Sequence, residues 1–360
     1  MHVGRLGRPV GIRPPLRAAL IGCGHISARH GPAWQATPDA ELVAICDLDR
    51  ARAEARAREF GVERVYDNVE AMLDAENLDC VDIATHDVTH TGLVTLAASR
   101  GINVLCQKPL APTLAEARAM VEFAKQAGVR FMVMEMWRHL KPVRDMKRYL
   151  DTGMIGDVIA LRLLAPPRVL RRTRPIDDQQ PYLADLPRLM VYDTYIHHID
   201  GIRYLIGDVT SVYARMSRTN PAIVGEDRLF LVMGHASGAT SSLDASWVVP
   251  VERPTKLHLG DFLIEGVDGA LHLDPYDAEL RHVTTGRTTV LERYDASSIG
   301  AAGPMGQGAF NSCIADFAAG VRHDRPFESS AEDNLKTLAI TLASYESVAR
   351  GTAVSPSDAP

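Results

Sequence analysis

From Leu16 onward the sequence alternates short apolar runs with helical segments, and each run ends where a helix can begin. "RAALIGCG" reads as a strand closing on glycines. "AELVAICDLD" is a second strand, followed by the Ala/Arg/Glu helix "RARAEARAREFG", which stops at Gly61. "DCVDIAT", "INVLCQKP" and "VRFMVME" continue the strands, and "VTHTGLVTLAASRG" and "TLAEARAMVEFAKQAG" the helices. The last of these opens with Thr113 and Glu116 at capping-box spacing and ends at Gly128. Buried strands separated by helix-length crossovers predict a parallel sheet covered on both faces.

After about Trp137 the pattern changes. A helix near Lys141 to Asp151, a strand "DVIALRLLA", a long irregular stretch and a helix from about Tyr192 to Ile206 come first. Strand-like runs then dominate: "SVYARMS", "RLFLVMG", "TSSLDASWVV", "TKLHLG", "FLIEGV", "GALHLD", "AELRHVT" and "TTVLERY", punctuated by Gly and Asp/Pro turns. Helices from about Ala309 to Val321 and Glu332 to Arg350 close the chain. The expected class is α/β plus α+β. A Rossmann dinucleotide-binding domain over 16–138 precedes a domain over 139–360 with a large, mostly antiparallel, open-faced sheet. The helix 332–350 is expected to pack back on the first domain.

A length of 360 residues suits two cores rather than one. The net charge of -6 and the absence of basic clustering speak against nucleic-acid binding. No apolar run approaches the ~18 residues of a membrane helix, so no membrane association is expected. Residues 1–15, rich in Arg, Gly and Pro, read as a disordered tail without the apolar core of a secretory signal. Five cysteines, none spaced as C-x-x-C, read as buried reduced thiols of a cytoplasmic protein.

"LIGCGHIS" places Gly22, Gly24 and Ser27 between a strand and a helix. Gly22 permits a tight turn, and Gly24 lets the backbone approach a pyrophosphate resting on the helix N-terminus, with His25 and Ile26 beside it. An acid, Asp47, ends the next strand, about 20 residues on, where a carboxylate accepts the ribose hydroxyls of an adenosine and repels a 2′-phosphate. The pairing predicts NAD in preference to NADP. As a bare turn, the same residues would leave Asp47 a helix cap, and nearby Arg50 keeps NADP open.

Lys108 stands at the carboxyl end of a parallel strand, the edge where such sheets bind ligands. In "VYDTYIHHIDGIRYLIGD", Asp193 and His197 are i and i+4 and share a helical face, so the carboxylate is expected to fix the imidazole's tautomer and raise its basicity. His198 lies about 100° away around the helix and suits packing. Asp193, His197 and Asp200 lack a spaced His or Cys pair, so no metal site is expected. Arg168, Arg171, Arg172 and Arg174 form a cationic stretch that suits a solvated loop or an anionic substrate group.

These motifs together resemble the glucose-fructose oxidoreductase / inositol dehydrogenase / rhizopine-catabolism (Gfo/Idh/MocA) family, from about Arg17 to Val354. The carriers are "IGCGHISARH", "IATHDVTH", "GINVLCQKPLA" and "DTYIHHID", in that order, followed by "FNSCIADFAAGVRHDRPFESSAEDNLKTLAITLASYESVARG". The resemblance implies Lys108 on the substrate hydroxyl, His197 as proton-transfer residue, Asp193 as its helper, and a cis bond before Pro109. It also implies cofactor contacts from Thr85, His90, Gln107 and Lys108, and a substrate pocket of Lys108, Trp137, Arg138, Tyr195, His197 and His198. Gln107 stands for the family's usual Glu, Tyr195 for a usual Gly and His86 for a common Pro. The implied activity is NAD-dependent oxidation of a sugar, polyol or sugar-derived acid by a homodimer or homotetramer. An NAD-retaining hydrolase or epimerase, and a non-catalytic ligand sensor, use the same framework.

Overall fold

The computed structural model describes residues 14–166, 170, 172–174, 176–177, 180–248, 255–295 and 304–358. Apart from Pro14 and Pro15, the expected tail lies outside them, as do Arg168 and Arg171.

The first unit is a six-stranded sheet of β1 (Leu16–Ile21), β2 (Ala40–Cys46), β3 (Arg64–Tyr66), β4 (Cys80–Ile83), β5 (Asn103–Gln107) and β6 (Phe131–Met134). The order is β3-β2-β1-β4-β5-β6 and every pairing is parallel. The crossovers are α1 (Ser27–Gln35), α2 (Arg50–Phe60), α3 (Val69–Ala75), α4 (Asp87–Ala98) and α5 (Leu114–Gln126). β4 and β6 are buried along their whole length, as two helix-covered faces require. Strand order reverses between β1 and β4, which opens a crevice at their carboxyl ends.

α6 (Lys141–Asp151) leads to a second sheet of eight strands. These are β7 (Val158–Leu164), β8 (Val209–Ser217), β9 (Arg228–His235), β10 (Thr240–Ser246), β11 (Asp261–Gly266), β12 (Gly269–Asp274), β13 (Glu279–Thr284) and β14 (Arg287–Arg293). The order is β14-β13-β12-β11-β7-β10-β9-β8, antiparallel except for β7 with β10. Burial alternates along β9, with Leu229, Leu231 and Met233 inside and Phe230 exposed, so one face meets the core and the other lies open. "TKLHLG", expected as a strand, is instead a turn whose Lys256 and Leu257 amides donate to the Pro275 carbonyl.

α7 (Ile196–Ile206), α8 (Pro304–His323) and α9 (Ala331–Arg350) join the two sheets. α8 lies on α1, where Phe317 meets Trp34 edge-on at 6.2 Å. α9 touches α5 and β6 on one side and α7 and β8 on the other, and Ser347 accepts the Ala214 amide of β8 at 3.0 Å.

Candidate active site

The first glycine of the turn after β1 is required twice over. Gly22 has φ +99°, and a Cβ there would stand 2.6 Å from the Ala84 carbonyl oxygen and 2.8 Å from Thr85 Cγ2. A Cβ on Gly24 would meet nothing within 4 Å, so this face is open to a ligand. Ser27, the third residue of the motif, is buried and donates to the Gly24 carbonyl at 2.6 Å. α1 starts without a side-chain cap and with no acid in its first turn, the electrostatics an anion requires. His25 is exposed and Ile26 half-buried beside it. Asp47, half-buried, accepts the Cys23 amide at 2.7 Å and the Asp49 amide at 2.8 Å, which fixes its carboxylate at the rim of the turn. Open backbone, uncapped helix and aimed carboxylate together fit an adenine dinucleotide: Gly22, Gly24, His25 and Ile26 would hold its pyrophosphate and Asp47 its ribose.

Thr85 contacts the glycine turn and its hydroxyl pairs with Thr89 at 2.7 Å. His90 is not positioned as a cofactor contact. It is fully buried, with Nδ1 3.2 Å from the Leu110 carbonyl and Nε2 3.1 Å from the Thr85 carbonyl. It ties the loop after β4 to the turn after β5. Gln107 likewise faces inward: Nε2 donates to His30 Nε2 at 2.8 Å and Oε1 accepts the Lys108 amide at 3.0 Å. His30 Nδ1 in turn donates to Asp82 at 2.7 Å, and Trp34 donates to the same oxygen. A glutamine can both donate to His30 and accept from Lys108, which an ionised glutamate cannot.

The Lys108–Pro109 bond is cis. Lys108 Nζ donates to the main-chain carbonyl of Asp193 at 2.5 Å and lies 3.7 Å from its carboxylate. Asp193 sits in a π-helical turn, Met190–Tyr195, immediately before α7. The wider turn breaks the i, i+4 alignment, so the contact expected between Asp193 and His197 is not made. The carboxylate on His197 Nδ1 is Glu135, at the end of β6, in a very short contact. Sequence reasoning passed over Glu135, although it carried a signal: an acid at the carboxyl end of a buried strand, as Lys108 is a base at the end of its neighbour. Gln107 pairs with Met134 in register, so the next residues along, Lys108 and Glu135, emerge side by side.

Electrostatics follow. Burial and the Lys108 charge hold His197 well below its ordinary pKa and outweigh the opposite pull of Asp193; the expected rise is reversed. Burial pushes Glu135 up to about 7, opposed by Arg138, Lys108 and the Trp137 amide.

Trp137 stacks on His197 at 5.9 Å with planes 12° apart, and remains half-buried at the site. Three residues expected in the substrate pocket serve packing instead. Arg138 is buried against Asp200, with Asp333 3.0 Å away, because α7 and the start of α9 converge there. Asp200 is thereby tied to Arg138, and it also accepts the Thr337 hydroxyl at 2.9 Å. His198 is buried between Trp137, at 4.0 Å, and Tyr195, at 4.7 Å. Tyr195 is itself 2% exposed and accepts the Trp247 indole N–H at 3.0 Å. Of the loop arginines, Arg172 donates to the Thr219 carbonyl and Arg174 pairs with Asp185 at 2.7 Å, so both brace the loop. Among the described residues no group of three or more His, Cys, Asp or Glu is arranged to hold a metal, and no helix is long and apolar enough to cross a membrane.

Comparison with known proteins agrees with this architecture. The family model "Oxidoreductase family, NAD-binding Rossmann fold" matches residues 16–135, and the "GFO/IDH/MocA C-terminal domain" matches 143–271. A D-apiose dehydrogenase of Paraburkholderia graminis is 38% identical over 341 residues, covering 94% of this chain and 89% of its own. One from Rhizobium rhizogenes is 33% identical, covering 94% and 97%. A crystal structure of an oxidoreductase from Agrobacterium radiobacter, in complex with NAD+, L-tartaric acid and magnesium, superposes with a TM-score of 0.88 at 31% identity, covering 95% of this chain and 98% of that one. With both of its domains matched and full-length relatives above 30% identity, the chain belongs to the Gfo/Idh/MocA family of NAD-binding oxidoreductases.

Proposed function

We propose that the protein oxidises the C1 hydroxyl of a small aldose, an aldopentose of the apiose or xylose type, with NAD as acceptor. The observation that carries the reading is the convergence of Lys108, Asp193 and His197 at the carboxyl edge of β5 and β6, on the same sheet edge as the glycine turn after β1. The substrate class rests on the relatives that match along the whole chain. Two are named for D-apiose, and a third, from Haloferax volcanii, 29% identical over 90% of the chain, for D-xylose 1-oxidation with NADP. Inositol dehydrogenases match over about two thirds of the chain, for example 64% for that of Thermotoga maritima.

Bound NAD supplies the hydride acceptor. Neutral His197 takes the hydroxyl proton, and its depressed pKa keeps it unprotonated at neutral pH. Lys108, anchored by the Asp193 carbonyl, presents its ammonium to the developing alkoxide. Trp137 covers one face of the imidazole. Asp47 supports NAD over NADP, because a carboxylate held by two amides stands where a 2′-phosphate would enter.

The open face of the second sheet carries Phe230 and Leu164, 40% and 53% exposed, and supports a homodimer or homotetramer built on it. Five free, buried cysteines suit a reducing, cytoplasmic setting. The test is NADH formation across aldopentoses, hexoses, inositols and sugar acids. A pentose preference supports the reading; a preference for inositols or acids defeats it.

A further inference from the structure

The residue closest to the base is not the one the helix pattern supplies. Glu135 is fully buried, and its Oε1 meets His197 Nδ1. Nε2 is then the nitrogen left for a substrate hydroxyl. Around Glu135 stand Lys108 from the end of β5, Arg138 from the turn after β6, His197 and Asp200 from α7, and Cys313 from α8. Arg138, Lys108 and the Trp137 amide favour its charged form, and burial opposes it.

We propose that Glu135 is a positioning residue that sets which nitrogen of His197 carries the proton, and that its ionisation switches the base on. The proposal rests on the reading of His197 as the base. As a carboxylic acid, Glu135 donates its O–H to Nδ1, and the neutral ring must carry its own proton on Nε2. That tautomer has no lone pair for the substrate. As a carboxylate, Glu135 accepts Nδ1–H, and the Nε2 lone pair is free. In the reaction the substrate O–H bond breaks and Nε2–H forms, while the C1–H electron pair leaves as hydride to NAD. The imidazolium so formed keeps Nδ1–H on the carboxylate, which stabilises it.

Burial pushes Glu135 up to about 7. The active tautomer therefore grows as pH rises through 7, and kcat should climb about 10-fold between pH 6 and 8.

Two measurements test this. The first is a ¹⁵N titration of the His197 ring in the protein without NAD or sugar, with its signals assigned by their loss in His197→Gln. The expected result is Nε2–H below about pH 7 and Nδ1–H above it. One tautomer throughout pH 5.5–8.5 overturns the proposal. The second is the pH profile of kcat in Glu135→Gln. A carboxamide does not titrate, in either orientation, so the step near pH 7 should disappear. An unchanged step at a uniformly lower rate would reduce Glu135 to packing and overturn the proposal. If Glu135→Gln does not fold, the wild-type titration alone decides. If no sugar is oxidised, the functional reading falls, and the titration still decides the assignment of Glu135.

Discussion

Lys108 Nζ is held by the main-chain carbonyl of Asp193 at 2.5 Å, while the Asp193 carboxylate stands off at 3.7 Å. The lysine's position thus depends on the backbone of a π-helical turn more than on the acid beside it. Asp193→Asn keeps that carbonyl and should cost kcat less than Lys108→Met, which removes the charge from the alkoxide site and should cost ~10²–10³-fold. Single-turnover hydride transfer at saturating NAD separates the two. Equal losses would mean that the Asp193 charge itself is needed.

His197 and His198 are neighbours in sequence with different surroundings. His197 meets Glu135 and Trp137, whereas His198 is packed between Trp137 and Tyr195. His197→Ala should lower the kcat of the folded fraction by ~10²–10⁴-fold, and it also leaves the buried Glu135 without its partner. His198→Ala should destabilise the protein by roughly 1–3 kcal/mol and spare most of the activity of the folded fraction. The reverse pattern would move the base to His198.

Asp47 spends one carboxylate oxygen on the glycine turn, through the Cys23 amide, and the other on the Asp49 amide at the head of α2. Its removal should therefore do two things. Asp47→Ser should shift the NAD:NADP ratio of kcat/KM toward NADP by at least ~10-fold, about 1.4 kcal/mol of lost repulsion. It should also lower thermal stability through the loosened turn. Steady-state kinetics with both cofactors and a melting curve check the pair of effects; an unchanged ratio would leave Asp47 a turn residue only.

Arg138 should behave as a structural cation. Its side chain is 6% exposed and Asp200 is fully buried against it. Arg138→Met leaves that carboxylate only the more distant Arg203, 3.9 Å away, and should cost about 3–5 kcal/mol in denaturant unfolding. KM for sugar should change little at temperatures where the variant is folded. A KM effect without loss of stability would return Arg138 to the pocket.

The strand–helix alternation and the glycine turn were legible because periodicity and backbone conformation are local. Gly22 announces its own φ, and β6 announces its double burial by an unbroken apolar run. Lys108 was legible because a charge after a buried strand has few places to go. The partner of His197 was not, because a π turn is an irregularity that spacing rules assume away, and Glu135 meets His197 through a tertiary contact between residues 62 apart in sequence. Arg138 was misplaced for a related reason: proximity in sequence to site residues does not say that its side chain turns to Asp200 and Asp333, whereas helical phase alone had His198 packed, as it is between Trp137 and Tyr195. The turn at 256–260 has the apolar alternation of a strand, but its Lys256 and Leu257 amides go to Pro275 rather than to a neighbouring strand.

The central claim is that this chain moves a hydride from a sugar CH–OH to NAD with Lys108 and His197 as the working groups. The most direct measurement uses an aldopentose deuterated at C1, NAD, and the protein in stoichiometric amount, with the nicotinamide product read by mass spectrometry. The account predicts a reduced cofactor carrying one deuterium from C1, a primary isotope effect on its appearance, and loss of the label transfer in Lys108→Met and His197→Ala. Transfer from another carbon, or undiminished transfer in both variants, would contradict it.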